Sequence, residues 1–314
     1  MGSTSPASDP TAYLEAAQAL IEAYALEVEY PLDSASPGGG KVVERVPLVI
    51  NTQGWVKGLG ADLLDKLKAI ARPTHVFSFS QPDDAPAPVL GAPTILLPPA
   101  PPSPLEGKWS AADYRVLSLV SYFHAHLAST STTPAPPSWD FTRPLLAQEP
   151  FALTLADLPG GVRLASAAGE SIPHSHLLHA LNSALVALVA APPASSLDET
   201  GVAPRPASCS ALGLALVHSI APGDHGVVDR VSTTLHVHTP VPACTLSEAR
   251  PSLALVKGEL DLPVALMLDW AAPGGGESGV AGVDWREVPF LSVDAAEASG
   301  RRRVRRNVMR RGQA

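Results

Sequence analysis

The sequence predicts an α/β fold, with a partial parallel sheet in the first part of the chain and a mostly β C-terminal domain after it. The short continuous apolar run over 46–50 is typical of a buried parallel strand, and helical spacing follows it. The predicted elements are, in order, a strand over 46–50, a helix marked by Leu63, Leu64, Leu67 and Ile70, and strands over 75–79 and 94–97. Strands alternating with a helix favour a parallel sheet, in which ligands bind beyond the carboxyl ends of the strands.

Two further helices in the first part are predicted from apolar spacing. The first has its apolar residues over 13–24 and follows Asp9 and Pro10, an acceptor and a proline that suit a helix start. The second is predicted over 110–127, with Arg115 near its beginning. The segment 58–60, Gly-Leu-Gly, opens the helix after the first strand, where free amides would face an anion. A tight turn into a helix is the alternative interpretation of these glycines.

The character of the sequence changes after a Pro-rich segment at 133–137. Runs typical of short strands lie at 151–155, 161–164, 212–220, 231–238 and 262–268, and one helix is predicted over 175–188. We therefore divide the chain into a first domain over 1–130, a mostly β domain over 139–298 and a tail over 299–314.

Charge separates an acidic body from a basic tail. The chain has 22 basic and 30 acidic residues, yet its last fourteen residues contain seven arginines and no acid. Residues 1–300 therefore have 15 basic residues against 30 acidic ones. An arginine cluster of this kind suits phosphate or an acidic protein groove, whereas a nuclear-localisation signal or a solvated terminus is equally compatible with it.

Composition argues against several classes of protein. A hydrophobic content of 46% is enough for a packed core, which a disordered tail would lack. Two cysteines, Cys209 and Cys244, are too few for a disulfide framework. No apolar stretch is long enough for a membrane span, and no signal-peptide pattern opens the sequence. We expect a soluble, intracellular protein that does not act at a membrane.

Common catalytic and metal-binding motifs are absent or incomplete. The sequence has no Gly-x-Ser-x-Gly and no His-Glu-x-x-His motif. Three His-x-His pairs occur, at His124/His126, His174/His176 and His236/His238, but no cysteine or suitably spaced carboxylate completes a tetrahedral set. We therefore predict no metal site. A P-loop-like run at 38–42 fails as well, because Ala35 and Val42 replace the required Gly and Ser/Thr.

One long run carries a family resemblance. The segment 47–64, which contains Asn-Thr-Gln-Gly-Trp-Val-Lys-Gly-Leu-Gly, resembles the signature of the polynucleotide 5′-hydroxyl kinases. Further blocks similar to that family occur in the family's order along the chain, at 2–6, 114–115, 121–124, 212–217, 239–242, 255–258 and 305–311. The Gly-Leu-Gly form at 58–60 is similar to the branch that acts with a nuclease in pre-rRNA spacer processing.

The resemblance implies a kinase that uses ATP and Mg²⁺ to place the γ-phosphate on the 5′-hydroxyl of RNA. Arg115 lies in the segment similar to the family's lid, which implies that it stabilises charge on the transferring phosphoryl group. The substrate-binding residues implied by the resemblance are Ser5, Pro6, Asn51, Thr52, Trp55 and Lys57. Trp55 would stack on a base or pack a helix against the sheet, and Lys57 would meet phosphate.

The resemblance also implies a partner and a location. Pre-rRNA 5′ ends, a nuclease subunit and the nucleolus within the nucleus are the expected substrate, partner and compartment. The residues implied to bind the nuclease are Arg305, Arg306, Val308, Met309, Arg310 and Arg311. In the family the P-loop precedes the block that matches 2–6, so we expect the chain to cover the second half of the P-loop kinase domain with its lid helix and to be inactive alone. A non-catalytic scaffold that supports the nuclease is the alternative.

Overall fold

The computed structural model describes residues 5–7, 9–29, 45–55, 57–79, 92–98, 109–126, 138–164, 176–192, 206–223 and 231–270. Helices and sheets are both present, and the larger sheet lies in the C-terminal part. The prediction of an α/β chain with a mostly β C-terminal part is thereby confirmed. Among the described residues, no helix is both long and apolar enough to cross a bilayer.

The first helix begins where its local sequence predicts. Helix α1 (Pro10–Ala23) has Asp9 as its N-cap, and the Asp9 carboxylate accepts a hydrogen bond of 3.0 Å from the Ala12 amide. Pro10 occupies the first turn, where its missing amide costs no hydrogen bond. A π-helical turn (Tyr24–Val28) then leads to Glu29, which pairs with Arg45 at 2.5 Å. The start of the next described segment is therefore tied to the end of α1.

The predicted strand over 46–50 is wrong. These residues belong to no helix or strand and form no ladder with another described strand, and all five are exposed. The side chain of Val49 is 86% exposed. An apolar run becomes a buried strand only when a neighbouring strand supplies hydrogen bonds and other elements cover both faces. The structure supplies neither to 46–50 within the described residues.

The next three elements follow the prediction with shorter bounds. Helix α2 (Leu59–Ala71) is followed by strands β1 (Val76–Ser78) and β2 (Thr94–Leu96), which pair in parallel. Phe77 in β1 is 57% exposed. The parallel pairing is confirmed, but this two-stranded sheet is small and open on the side of Phe77.

Helix α3 (Ala111–Phe123) carries Arg115 and starts with a capping box. The Ser110 hydroxyl accepts from the Asp113 amide at 3.2 Å, while the Asp113 carboxylate accepts from the Ser110 amide at 2.6 Å. The prediction extended this helix to 127, but the chain instead forms β3 (Ala125–His126), which pairs antiparallel with β4 (Ser138–Trp139). The helix ends early because residues 125–126 hydrogen-bond to a strand.

Six strands of the described residues form the main sheet of the C-terminal part. They are β5 (Phe151–Thr154), β6 (Gly161–Leu164), β7 (Leu185–Ala190), β8 (Ser210–Ala221), β9 (Thr234–His238) and β10 (Leu253–Lys257). Their order across the sheet is β5-β9-β8-β7-β10-β6. The pairs are antiparallel except β10 with β6, which is parallel.

Two predicted elements of this part are wrong. The helix predicted over 175–188 is a short helix α4 (Leu177–Leu181) followed by strand β7. Ser183 has a positive φ of 54°, a left-handed conformation that ends a helix and turns the chain. The strand predicted over 262–268 is a 3-10 turn (Val264–Leu266) that begins after Pro263. Strand β10 was not predicted as a strand.

The main sheet is apolar on both faces, and different elements cover each face. On one face Leu188, Val217 and Leu255 pack with α4 and with Leu246 of helix α5 (Ala243–Ala249). On the other face Leu185 and Leu216 pack with Val120 and Phe123 of α3. Helix α3 therefore packs against the C-terminal sheet, although it precedes residue 130 in the chain. The division at 130–139 stays a prediction.

Candidate functional site

The predicted substrate-binding residues before α2 form an exposed segment. Asn51 and Thr52 are exposed, and the Trp55 side chain is 37% exposed. A Cβ atom added to Gly60 would lie 2.4 Å from Trp55 Cγ and 2.2 Å from the Trp55 carbonyl oxygen. The Trp55 indole therefore lies on the first turn of α2, where only glycine allows so close an approach. The exposed fraction of the ring leaves surface on which a base can stack.

The start of α2 depends on its two glycines. Gly58 is the N-cap with a φ of 57°, and the Ala61 amide donates to its carbonyl at 2.9 Å. The Gly60 amide donates to the Lys57 carbonyl at 3.2 Å. Asp62 places a carboxylate in the first turn, which opposes anion binding at this helix end. Lys57 is exposed and is the basic side chain next to this turn.

Ser5 and Pro6 lie just before α1. The Ser5 hydroxyl accepts from the Ala7 amide at 3.2 Å, which holds the short segment before the N-cap Asp9. Helices α1 and α2 contact each other. Two groups of predicted substrate residues thus precede two helices that pack together.

Arg115 is an exposed residue of α3. The helix buries Val120 and Phe123, whereas Arg115 is exposed together with Tyr114 and Leu117. Among the described residues no ion pair engages Arg115. Within the part of the chain that the structure describes, its guanidinium thus has no carboxylate that would have to be displaced before it met a phosphoryl group. No hydrogen bond or ring contact of the described residues joins it to Trp55 or Lys57. The predicted partner-binding residues 305–311 lie outside the described residues.

The three His-x-His pairs have different surroundings. His124 is buried; its Nδ1 donates to the Asp140 carbonyl at 2.8 Å, and its ring lies 4.8 Å from that of Phe141. His126 is exposed. His176 contacts His179 edge-to-face with ring centroids 6.2 Å apart, and His174 lies outside the described residues. In the part of the chain that the structure describes, no three His, Cys, Asp or Glu side chains form a group suited to a metal ion.

The third pair meets a histidine from the neighbouring strand. The register of β8 and β9 shifts between Val217 and Ser219, so His218 is the extra residue of a bulge. His218 Nδ1 lies 2.7 Å from His238 Nε2, and Ser219 Oγ lies 3.1 Å from His236 Nδ1. Burial, followed by the neighbouring His218, lowers the pKa of His238 from 6.5 to about 4. The sequence pattern missed this contact because His218 is 20 residues from His238.

Sequence reasoning also missed the polar contact that fixes α3. The Tyr122 hydroxyl accepts from the Leu214 amide at 2.7 Å, and burial raises the pKa of Tyr122. The Thr239 hydroxyl donates to the Leu214 carbonyl at 2.7 Å. Tyr122 and Thr239 both lie in sequence blocks that resemble the kinase family. That resemblance was the one sequence signal that could have pointed to these two residues. The spacing of the residues alone gave no indication of the contact.

Comparison with known proteins shows which class of protein this chain resembles. A family model described as mRNA cleavage and polyadenylation factor CLP1 P-loop matches residues 1–125. The polynucleotide 5′-hydroxyl-kinase GRC3 of Cryptococcus neoformans is 34% identical over 352 residues, covering 99% of this chain and 46% of that protein. The grc3 kinase of Schizosaccharomyces pombe is 26% identical over 363 residues, covering 99% of this chain and 44% of that protein.

The chain belongs to the polynucleotide 5′-hydroxyl-kinase family. It spans about half the length of the curated relatives it matches. A third relative, GRC3 of Gibberella zeae, is 30% identical over 173 residues, which cover 52% of this chain and 21% of that protein. The family that the sequence signature predicted is confirmed.

We predict a pH-dependent stability that originates at His238. Because its pKa is lowered on folding, the unfolded chain binds a proton between about pH 4 and 6.5 that the folded chain excludes. The free energy of unfolding should therefore fall as the pH drops through this range, by at most about 3 kcal/mol. Urea unfolding of His238→Gln should show a smaller dependence on pH than the parent protein.

The matched control is His126→Gln, since His126 is exposed. This variant should retain the pH dependence of the parent. If His238→Gln and the parent lost stability equally between pH 6.5 and 4, the assignment to His238 would be wrong.

Proposed function

We propose that the chain is part of an ATP-dependent kinase that phosphorylates 5′-hydroxyl ends of RNA. The observation that carries this proposal is the similarity to polynucleotide 5′-hydroxyl kinases along 99% of the chain. The exposed Trp55 on the glycine turn of α2 adds to it, because aromatic rings bind bases by stacking. RNA, rather than DNA, is proposed from the pre-rRNA branch of the family resemblance.

We assign roles to the exposed groups accordingly. Arg115 would stabilise charge on the phosphoryl group during transfer, since a guanidinium without a carboxylate partner can bind phosphate oxygens with two hydrogen bonds. Lys57 would meet the RNA backbone near Trp55. Asn51 and Thr52, in the exposed segment before Trp55, would supply hydrogen bonds to the 5′ nucleotide. Ser5 and Pro6 would line the approach of the substrate.

The phosphate cradle is not supplied by these residues. The sequence contains no Gly-x-x-x-x-Gly-Lys-[Ser/Thr] motif. The described residues also contain no group of three His, Cys, Asp or Glu side chains suited to a metal ion, so they do not fit Mg²⁺. We propose that ATP and Mg²⁺ are bound mainly by a P-loop segment outside this sequence, and that residues 1–314 are inactive without it.

Exposed apolar side chains in the first part support the proposal of a P-loop segment outside this sequence. Val49 and Ile50 are exposed in a run that pairs with no described strand, and Phe77 and Ile95 are exposed on the two-stranded sheet. Parallel sheets are normally covered on both faces, and two strands alone are marginal in water. A further α/β segment beside β1 and β2 would cover these side chains.

A scaffold without catalysis is the second candidate, and the absent P-loop motif favours it. In either case we propose that the protein acts on pre-rRNA in the nucleolus with a nuclease subunit. The tail supports this partner, because its arginines flank two apolar residues, Val308 and Met309, that suit a protein groove better than an RNA backbone.

The kinase proposal is tested by restoring a P-loop. The P-loop-bearing part of the Cryptococcus neoformans relative is fused before residue 1, and transfer of labelled γ-phosphate to 5′-hydroxyl RNA is measured. We expect transfer by the fusion and none by residues 1–314. Within the fusion, Arg115→Ala should lower kcat by about 10²–10³-fold, whereas Arg143→Ala, another exposed arginine, should not.

Transfer by residues 1–314 above a no-protein control would show that no added P-loop is needed. A folded fusion without transfer would favour the scaffold.

The docking role of the tail is tested by the double variant Val308→Asp with Met309→Asp. Apolar anchors are needed for a protein groove but not for phosphate, so nuclease binding should weaken while RNA binding stays nearly unchanged. Replacing Arg301, Arg302 and Arg303 should instead reduce mainly the salt-dependent affinity for RNA. A double variant that bound and supported the nuclease like the parent would exclude docking through Val308 and Met309.

A further inference from the structure

Strand β8 is longer than the neighbour on one of its sides. It runs over twelve residues, but β9 pairs with it only from Leu216 onward. The amide and carbonyl of Leu214 point to the side that β9 covers further along, since antiparallel residues two apart face the same neighbour. Without β9, these backbone groups need other partners.

Two side chains supply them. The Tyr122 hydroxyl accepts from the Leu214 amide at 2.7 Å and lies 3.4 Å from the Leu214 carbonyl oxygen. The Thr239 hydroxyl donates to the same carbonyl at 2.7 Å. Tyr122 comes from α3, 92 residues before Leu214, so a helix side chain completes the ladder of a strand.

Gly213 provides the space for the Tyr122 hydroxyl. A Cβ atom there would lie 2.4 Å from the Tyr122 hydroxyl oxygen and 2.5 Å from Val241 Cγ2. Gly213 stands beside an irregularity of register, since Leu188 pairs with Gly213 but Val189 pairs with Ala211. The close approach of Tyr122 to β8 thus depends on a glycine at this position.

The same helix presents Arg115 to solvent about two turns earlier. Val120 and Phe123 pack on the sheet but, being apolar, restrain the helix less specifically along its axis than a hydrogen bond does. The Tyr122 hydroxyl bonds to one fixed backbone amide and so sets the position of α3 along β8.

We propose that Tyr122 is a positioning residue, which fixes the Arg115-bearing helix to the C-terminal sheet through the backbone of Leu214. The role assigned to Arg115 rests on the proposed kinase function, whereas the coupling of α3 to the sheet does not. The C-terminal domain then determines where the lid arginine stands, and any event that moves β8 moves Arg115.

Hydrogen exchange on residues 1–314 tests the coupling. Tyr122→Phe removes the hydroxyl and leaves the partly buried Leu214 amide without its acceptor, so amides of α3 should exchange about tenfold faster. Amides of β7 and β10 should keep the exchange rates of the parent. Gly213→Ala should loosen α3 in the same way, because its methyl group displaces the hydroxyl.

Two controls separate positioning from loss of stability. Tyr114→Phe removes an exposed hydroxyl from the same helix and should leave α3 exchange unchanged. Leu246→Ala weakens the core on the opposite face of the sheet and should not accelerate α3 selectively. If α3 exchanged as slowly in Tyr122→Phe as in the parent, the coupling would be refuted.

The effect of Tyr122 on Arg115 is measured as kinase activity of the fusion protein. Tyr122→Phe should lower kcat with an unchanged KM for RNA, and the double variant with Arg115→Ala should lose no more than Arg115→Ala alone. Additive losses would mean that Tyr122 does not act through Arg115. A fusion inactive in every variant would count against the proposed function, while the exchange experiment would still decide the coupling.

Discussion

The arrangement depends on one constraint: the six-stranded sheet is apolar on both faces, and both must be covered. Leu188, Val217 and Leu255 lie on one face, under α4 and α5, whereas Leu185 and Leu216 lie on the other. Since α3 supplies Val120 and Phe123 to the second face, the sheet determines which side of α3 is buried. Arg115 lies in the same helix and is exposed. The position of the candidate lid arginine thus follows from packing in the C-terminal domain.

Polar contacts determine the position of α3 on the sheet more closely than apolar packing does. Burial of leucine and phenylalanine is non-directional, and it tolerates small shifts of a helix over a sheet. The hydrogen bond from the Leu214 amide to the Tyr122 hydroxyl allows only one position of α3 along β8. The His218–His238 contact at the bulge of β8 is a second directional contact in the same sheet, and there the cost of burial appears as a lowered pKa. Both contacts join residues that are distant in sequence.

Elements with local signals could be predicted from the sequence, and elements that need a distant partner could not. Helix α1 begins at its cap because Asp9 and Pro10 act within one turn. The run 46–50 and strand β7 are both short and apolar, yet among the described residues only β7 has neighbouring strands on both sides. In the candidate site, the glycine turn under Trp55 was found because its residues are adjacent. The contact between Tyr122 and Leu214 was not predicted, because these residues are 92 positions apart and only folding brings them together.

The central claim is that α3 belongs energetically to the C-terminal sheet. Thermal unfolding of residues 109–270, compared with residues 138–270, tests it most directly. Removing α3 exposes Leu185 and Leu216 and deletes the buried Phe123, so residues 138–270 should unfold at least about 10 °C lower, or without a cooperative transition. Equal unfolding temperatures and equal cooperativity for the two segments would contradict the account.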